Sequence, residues 1–382
     1  AGKLWKRAEE MRKADIHDAA GADLIRALLK KGIEVDFREK CERSLQWAFS
    51  SIERQREREK REAIEEAKLE ADRCVSCGLC VATCPAHMSI PQYIQAVRDG
   101  DYEKGLALLY ETNPFSQVCG RVCTRNCESS CASRHEGEPI AIRWLKRHIT
   151  EQVPYEKYPE IIGKPSQSTG KKIAIIGAGP AGLTAAFDLA KSGHEVIIYE
   201  ANAKAGGMTR YGIPEYRMPY DILDREISLI ISLGVTIHYN IRVGQDISIT
   251  QLQQDFDAVI LAIGLQQGRL TKIPQSEHEM VYRAVDLLHK ITTGEEFEIP
   301  RCAVIIGGGN VAMDIARSIA RMQKEKYLKV EVTVTALEEQ QHFMADADEI
   351  KEALEEGVII RDKCGPQGCE IDDNGRLVGL KT

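Results

Sequence analysis

The chain has 382 residues, with 51 Lys and Arg against 58 Asp and Glu, which gives a net charge of −7 at pH 7. This length predicts roughly two to three domains, and a hydrophobic fraction of 43% excludes wholesale disorder and fibrous repeats. The acidic balance argues against a nucleic-acid partner. No secretory signal and no membrane-spanning apolar stretch are visible in the sequence.

Residues 1–72 are predicted to be helical. Neither Gly nor Pro interrupts residues 37–73, and residues 54–61 are nearly all charged. We predict a helical arm that docks a partner subunit. The alternative is a solvated helix face in which opposite charges pair at a spacing of four residues.

Cysteine is the informative residue type: 12 are present, and eight of them lie between residues 74 and 131. Without a secretory signal, such a group indicates metal or redox chemistry in the cytoplasm rather than disulfides. The first four have the CxxCxxCxxxCP spacing of bacterial ferredoxins, in which the cysteine before proline serves a second cluster. Four more follow at regular intervals. We predict two [4Fe–4S] clusters with eight ligands: Cys74, Cys77, Cys80, Cys84, Cys119, Cys123, Cys127 and Cys131.

Two alternatives to this interpretation stay open, a zinc site and unbound thiols. The other four cysteines have no ligand spacing. Among them, Cys302 is predicted to be a small core residue that opens a buried strand.

Residues 151–170 contain three prolines and a Ser/Gly patch, so a linker is predicted there. After it the pattern changes to alternating strands and helices. Strands are predicted at 172–176, 195–199, 235–239 and 257–263, and the pattern starts again with a strand at 302–306. Two such starts predict two nucleotide-binding units.

The first glycine-rich turn, residues 177–182, stands between a predicted strand and a predicted helix, as the GxGxxG fingerprint requires. Its glycines permit a tight turn, the approach of a pyrophosphate and close packing of helix on strand. Glu200 ends the next strand, where an acid accepts a hydrogen bond from a ribose. A following Gly-Gly turn is typical of FAD sites. The predicted FAD-binding residues are Gly177, Gly179, Pro180, Ala181, Gly182, Glu200 and Gly207.

The second turn has the GxGxxA form, an accepted variant of the fingerprint. It predicts a nicotinamide dinucleotide site that comprises Gly307, Gly309, Asn310, Val311 and Asp314. Glu338 and Glu339 follow the next strand, where an acid suits a free 2′-hydroxyl and would repel a 2′-phosphate. NAD(H) is therefore favoured over NADP(H). The alternatives are an idle Rossmann unit and two solvated loop charges.

Together these motifs resemble the small subunit of glutamate synthase and its relatives, among them the N-terminal half of dihydropyrimidine dehydrogenase. The likeness covers about residues 73–365. It implies an α-helical domain with two [4Fe–4S] clusters, followed by an α/β flavoprotein with two Rossmann-like dinucleotide-binding domains. The motifs that carry it, besides those above, are residues 119–128, 138–142, 212–217 and 261–264, and the last adds Gly264 to the cofactor-binding residues.

The resemblance also implies how the cysteines divide. The first cluster takes Cys74, Cys77, Cys80 and Cys131, and the second takes Cys84, Cys123 and Cys127. Several relatives complete the second cluster with Glu or Gln at the position of Lys146, which cannot ligate iron. We predict that Cys119 is the substitute. NADPH-using relatives carry two arginines where this chain has Glu338 and Glu339, which strengthens the NAD(H) prediction.

The implied domains are a helical arm at 1–72, a cluster domain at 73–165, an FAD domain from 166 to 298 and an NAD(P) domain from 299 to 382. The family's closing Gly-Asp motif is absent. We therefore expect the FAD domain to lack its C-terminal return and the NAD(P) domain to be incomplete within these residues.

The function predicted from these features is an electron-transfer subunit that moves electrons between NADH and a partner protein through FAD and two [4Fe–4S] clusters. Because the cofactors perform the chemistry, no catalytic side chain is nominated. Other redox subunits are the expected partners. The alternatives are a glutamate synthase small subunit and a structural iron–sulfur adaptor with an idle nucleotide fold.

Overall fold

The computed structural model of the protein describes residues 35–268 and 271–382, with side chains from Arg54 onward. The prediction for residues 1–34 lies outside these residues. Two compact units are present: the first comprises residues through Cys74 together with Val97–Gly100, and the second comprises Val75–Ala96 and Asp101–Thr382. No helix in the described part of the chain is long and apolar enough to cross a membrane.

The first unit is built on helix α1, Val35–Asp72. This helix agrees with the prediction from the uninterrupted, charge-rich sequence, since no Gly or Pro breaks the backbone ladder. Near its end, the guanidinium of Arg98 pairs with the carboxylate of Asp72.

The second unit begins with a cluster of short helices. Asp101 caps α4 by accepting a 3.1 Å hydrogen bond from the backbone N–H of Lys104. Gly105 on this helix lies against Ile149, so α4 and α7 approach closely. The helices are α2 (Leu79–Thr83), α3 (Ile90–Asp99, whose last three residues belong to the first unit), α4 (Tyr102–Tyr110), α5 (Ser116–Val122), α6 (Asn126–Ser129), α7 (Ile142–Gln152) and α8 (Tyr158–Ile162).

The predicted linker at 151–170 is wrong for its central part. Helix α8 is packed: Tyr158 and Ile162 are buried, and the Tyr158 hydroxyl donates a 2.7 Å hydrogen bond to the carbonyl of Thr150. Pro159 stands in the first turn of this helix, where a missing N–H costs nothing. The prolines thus mark a helix start rather than an unstructured segment.

The first α/β domain holds a parallel sheet in the order β3-β2-β1-β4. Strands β1 and β2 have the predicted bounds, and a parallel sheet in this order is one half of a Rossmann fold. The strands are β1 (Lys172–Ile176), β2 (Glu195–Tyr199), β3 (Thr236–His238) and β4 (Ala258–Leu261). The helices are α9 (Pro180–Lys191), α10 (Met208–Tyr211), α11 (Tyr220–Ser232) and α12 (Ile249–Asp255).

A second parallel sheet, in the order β5-β6-β7, follows with its own helices. Its core is formed by Met313, Ala316, Val332 and Val334, all fully buried. An antiparallel hairpin, β8-β9, ends the described chain. The elements are α13 (Ala284–Thr293), β5 (Ala303–Ile306), α14 (Asn310–Tyr327), β6 (Val332–Thr335), α15 (Ala347–Glu355), β7 (Ile359–Arg361), β8 (Gly368–Ile371) and β9 (Leu377–Lys381).

Two expectations about burial are wrong. The predicted strand at 257–263 was expected to be buried, yet Leu261 is 64% exposed and Ile263 is 62% exposed. Strand β4 pairs with β1 on one side and is an edge of its sheet among the described residues. Cys302 is exposed, because it precedes β5 instead of lying within the strand.

Candidate cofactor and metal sites

The predicted ligands of the second cluster lie on three short helices of the second unit. Cys84 ends α2, Cys119 lies on α5 and Cys123 ends it, and Cys127 lies on α6. Cys127 is buried, and the other three are partly buried. Helices α2 and α6 pack against each other, so residues more than 40 positions apart in sequence are brought to one place.

Tyr93 reports this convergence. Its side chain is 1% exposed, and burial raises its pKa well above the usual value. The nearby thiols of Cys127, Cys84, Cys80 and Cys123, named in order of effect, raise the pKa further. Four of the predicted ligands are therefore near enough to one buried ring to act on it electrostatically.

Cys119 lies on α5, which packs against α7. A Cβ on Gly120 would lie 3.1 Å from Cβ of Arg147, so the backbones of α5 and α7 approach closely beside Cys119 and Lys146. Burial raises the pKa of the Cys119 thiol, and the positive charge of Lys146 and a hydrogen bond with Asn113 oppose this rise.

The donor set fits an iron–sulfur cluster. Cys84 ends α2 and Cys127 lies on α6, two helices that pack together, and thiolates are the ligands that hold such clusters. A [4Fe–4S] cluster binds each thiolate at a different iron, so its ligands surround a larger volume than those of a single metal ion. Lys146 is buried, and its positive charge acts on Cys119 and Cys127, so it would offset the negative charge of a thiolate-bound cluster.

The remaining ligands are described separately, because Cys74 belongs to the first compact unit. Cys77 is exposed, Cys80 is buried and Cys131 is partly buried, all in the second unit. The ligand set of the first cluster stays a prediction.

The first glycine-rich turn joins β1 to α9 with very close backbone contacts. Gly177 has φ +104°, and a Cβ there would lie 2.5 Å from the carbonyl oxygen of Ala262. A Cβ on Gly182 would lie 2.0 Å from the carbonyl oxygen of Gly177, and one on Gly207 would lie 2.7 Å from Cα of Gly179. Side chains are thus sterically excluded along this turn, which leaves its backbone N–H groups accessible to a phosphate.

Glu200 lies beside that turn at the end of β2. It is 5% exposed, and its two carboxylate oxygens accept hydrogen bonds from the backbone N–H of Ala178, at 2.7 Å, and of Asn202, at 2.8 Å. Each oxygen keeps a further lone pair for a ligand. Pro180 and Ala181 begin α9, and Gly264 follows β4 with φ +64°.

The second turn is partly covered by the loop after β6. A Cβ on Gly308 would lie 2.7 Å from the ring of Phe343, whereas one on Gly309 would meet nothing within 4 Å. The side chain of Asn310 accepts a 2.8 Å hydrogen bond from the N–H of Asp346. Gly307 has φ +126°, and Val311 is 46% exposed.

Asp314 is held by a partner that the sequence did not suggest. It is 3% exposed, and Arg217 donates to both of its carboxylate oxygens at 2.8 and 2.7 Å. Burial raises the pKa of Asp314 to about 6, against the opposing effect of Arg217. Arg217 also pairs with Glu349 at 2.7 Å. This network ties the two α/β domains together, so Asp314 has a structural role besides its predicted one.

The two acids after β6 differ in their surroundings. Glu338 is exposed, and no side-chain hydrogen bond or ion pair of Glu338 is present within the described residues. Glu339 pairs with Lys363 at 2.9 Å and accepts a hydrogen bond from Gln341. The carboxylate of Glu338 is therefore the less engaged of the two.

Comparison with known proteins decides the family. Residues 51–158 match the family described as dihydropyrimidine dehydrogenase domain II, 4Fe-4S cluster. Residues 171–381, more than half of the chain, match the pyridine nucleotide-disulphide oxidoreductases. The chain belongs to the pyridine nucleotide-disulphide oxidoreductase family. Its predicted fold class, an iron–sulfur domain followed by a Rossmann-like FAD and nucleotide domain pair, is confirmed.

Curated relatives match most of the length of this oxidoreductase. The NAD-dependent dihydropyrimidine dehydrogenase subunit PreT of Escherichia coli is 37% identical over 79% of this chain and 72% of its own length. The NADPH glutamate synthase small chain of Escherichia coli is 32% identical over 83% of this chain and 69% of its own. The resemblance stated from the motifs is thereby confirmed.

A third relative is longer. The NADP(+)-dependent formate dehydrogenase subunit beta of Moorella thermoacetica is 36% identical over 79% of this chain, which spans 45% of that protein. The chain thus covers less than half the length of this relative. The names of these relatives include both NAD and NADP. Sequence similarity therefore supports a nicotinamide dinucleotide but does not distinguish NAD(H) from NADP(H).

One buried contact of this oxidoreductase was not predicted from the sequence. Glu226 on α11 is fully buried and accepts hydrogen bonds from the N–H of Gln117 at 2.6 Å, the N–H of Val118 at 3.2 Å and the hydroxyl of Tyr110 at 2.8 Å. The available signal was an acid at the apolar spacing of a helix, four residues from both Ile222 and Ile230.

Proposed function

We propose that this chain is the electron-transfer subunit of an oxidoreductase complex, which moves electrons between NADH and a partner protein through FAD and two [4Fe–4S] clusters. The observation that supports this proposal is that the thiols near Tyr93 and both glycine-rich turns belong to one compact unit. When bound, FAD exchanges electron pairs with NADH and single electrons with the clusters.

The first turn would hold the FAD pyrophosphate. The N-terminus of α9 presents N–H groups without helical partners, and their positive dipole end favours an anion. Contacts between glycine backbones at Gly179 and Gly207 support this assignment, since they leave no side chain in the way. Glu200, held by two backbone N–H groups, would accept a hydrogen bond from the ribose.

The second turn would hold NAD(H) in preference to NADP(H). The observation that supports this is the exposed, unpaired carboxylate of Glu338 at the end of β6, where the adenosine ribose of a dinucleotide lies in Rossmann domains. A carboxylate there accepts hydrogen bonds from two ribose hydroxyls and repels a 2′-phosphate. Gly309, with open space around it, would let the pyrophosphate approach.

The clusters would be bound by thiolates alone. We assign Cys84, Cys119, Cys123 and Cys127 to one cluster, and Cys74, Cys77, Cys80 and Cys131 to the other. The position of Cys119 beside Lys146 and Asn113 supports its inclusion. The exposure of Cys77 suits an exit point for electrons toward a partner, and the helical arm at 1–72 would dock that partner. A cytoplasmic location suits ligands that need reduced thiols.

A second candidate function is that of a glutamate synthase small subunit, which donates electrons to a glutamate-forming partner. The observation in its favour is the coverage of 69% of the Escherichia coli small chain. Glutamine-dependent oxidation of NADH or NADPH in the presence of a large subunit would support it, and Glu338 argues for NADH in that assay.

The test of the proposed function is an anaerobic titration of the purified protein with NADH and, separately, with NADPH. We expect NADH to bleach the flavin absorption and NADPH to do so much more slowly. Equal rates would overturn the NAD(H) assignment. A protein that holds no flavin would favour the structural adaptor.

A further inference from the structure

Lys146 is a buried cation on α7. Only 6% of its surface is exposed, while the next residue, Arg147, pairs with Glu151 at 2.7 Å. Within the part of the chain that the structure describes, no hydrogen bond or ion pair joins the Lys146 ammonium to a carboxylate. Because an ammonium is rarely buried without a counter-charge, an anion is expected beside it.

Lys146 lies on α7, which packs against α5, the helix that carries Cys119 and ends at Cys123. The positive charge of Lys146 acts on the nearby thiols of Cys119 and Cys127. The crossing of α5 over α7 fixes this arrangement, since a Cβ on Gly120 would lie 3.2 Å from Cα of Arg147. The helices cannot separate here without opening a well-packed contact.

The nearby carboxylates are engaged elsewhere. Glu128 accepts a 2.8 Å hydrogen bond from the N–H of Arg143 and lies near the guanidinium of Arg125. Glu226 accepts its hydrogen bonds from the N-terminus of α5 and from Tyr110. Neither acid is left as the counter-charge of Lys146, and thiolates that carry a cluster would supply it.

We propose that Lys146 is a positioning residue for the cluster bound by Cys84, Cys119, Cys123 and Cys127, whose ammonium raises the reduction potential of that cluster. This inference rests on the proposed cluster assignment. The reduced cluster carries one more negative charge than the oxidised one, so a nearby cation stabilises the reduced form more. The effect is local, and the other cluster keeps its potential.

The expected change in reduction potential is that caused by the loss of one positive charge near the cluster in a partly buried site. We expect removal of the ammonium to lower the ratio of reduced to oxidised cluster at a fixed potential by about tenfold, which corresponds to about 59 mV for a one-electron couple. Only one of the two cluster signals is expected to shift. A general loss of structure would instead affect both clusters.

The experiment is a redox titration of the anaerobically purified protein, monitored by electron paramagnetic resonance, with iron content measured in parallel. Lys146→Met removes the charge and keeps a long side chain. Lys104→Met is the matched control, because Lys104 is exposed on α4 of the same unit. Lys146→Arg restores the charge.

The expected result is that both clusters are retained in Lys146→Met and one potential falls, while Lys104→Met and Lys146→Arg keep the parental values. Retained clusters with unchanged potentials would overturn the inference and leave the proposed function standing. If Lys146→Met loses a cluster, retention in Lys146→Arg supports a need for charge, and loss in both overturns the inference in favour of packing. A parent protein without clusters would overturn the proposed function itself.

Discussion

The carboxylate of Glu226 accepts a 2.6 Å hydrogen bond from the backbone N–H of Gln117, 109 residues earlier in the chain. Glu226 belongs to the first α/β domain, whereas Gln117 lies in the first turn of α5, the helix that carries Cys119. The first N–H groups of a helix have no partner within it. A side chain from the neighbouring domain therefore completes and fixes the helix that presents a predicted cluster ligand.

Replacement of Glu226 by alanine is expected to destabilise the protein. The change leaves the N–H groups of Gln117 and Val118 buried without a side-chain acceptor and removes one hydrogen-bond partner of the Tyr110 hydroxyl. Unsatisfied buried donors cost roughly 1–3 kcal/mol each, so we expect a loss of about 3 kcal/mol in the free energy of unfolding. Urea unfolding measures this, with Asp221→Ala, exposed on the same helix, as the control. Equal stabilities of the two variants would contradict the account.

The buried pair of Asp314 and Arg217 predicts a pH dependence of stability. The pKa of Asp314 is about 6 in the folded protein, against 3.8 ordinarily, because burial outweighs the effect of Arg217. Between these values the folded state binds more protons than the unfolded state, so the contribution of Asp314 to stability falls as the pH rises. Glu349 and Arg317 are the other charged groups that face it.

Comparison with Asp314→Asn isolates this effect. We expect the free energy of unfolding of the parent, minus that of the variant, to decrease between about pH 4 and pH 6 and to level off above. Urea unfolding of both proteins across this range measures it. A difference that is constant or grows with pH would show that the carboxylate has no raised pKa.

Glu338→Arg is expected to shift the nucleotide preference. The substitution replaces an exposed carboxylate at the end of β6 with a cation that can pair with a 2′-phosphate. We expect the ratio of kcat/KM for NADH to that for NADPH to fall by about tenfold or more, about 1.4 kcal/mol of discrimination. Glu296→Arg makes the same charge change at another exposed position and should leave the ratio unaltered. The same shift in both variants would point to a general charge effect.

Cys119→Ser tests the ligand that replaces the usual acid or amide. If Cys119 completes the second cluster, the variant is expected to lose about half of its iron, because one of two clusters lacks its fourth thiolate. Iron analysis and electron paramagnetic resonance of the anaerobic protein measure this. Cys302→Ser removes an exposed cysteine outside the cluster domain and should keep the full iron content. Full iron in Cys119→Ser would remove it from the ligand set.

Local sequence signals predicted the parts of the fold that depend on local chemistry. Strands β1 and β2 have the predicted bounds, because buried apolar runs ended by a glycine turn admit few other structures. The contacts of Gly177 and Gly182 follow from the same fingerprint.

What the sequence did not predict depends on partners that are distant along the chain. The sequence around Glu226 does not predict that its carboxylate contacts α5. The sequence around Asp314 does not predict its ion pair with Arg217. The helix at Tyr158–Ile162 was not predicted because proline is common both in loops and in the first turn of helices. The exposure of Leu261 was missed because an apolar strand does not reveal what packs against it.

The measurement that tests the central claim most directly is electron paramagnetic resonance of the anaerobic protein, frozen at intervals after it is mixed with NADH. The account predicts that flavin absorption bleaches and that signals of reduced [4Fe–4S] clusters then appear, with NADPH much slower. Flavin bleaching without any cluster signal, in a protein shown to hold both clusters, would contradict the claim that this chain passes electrons from NADH to its iron–sulfur centres.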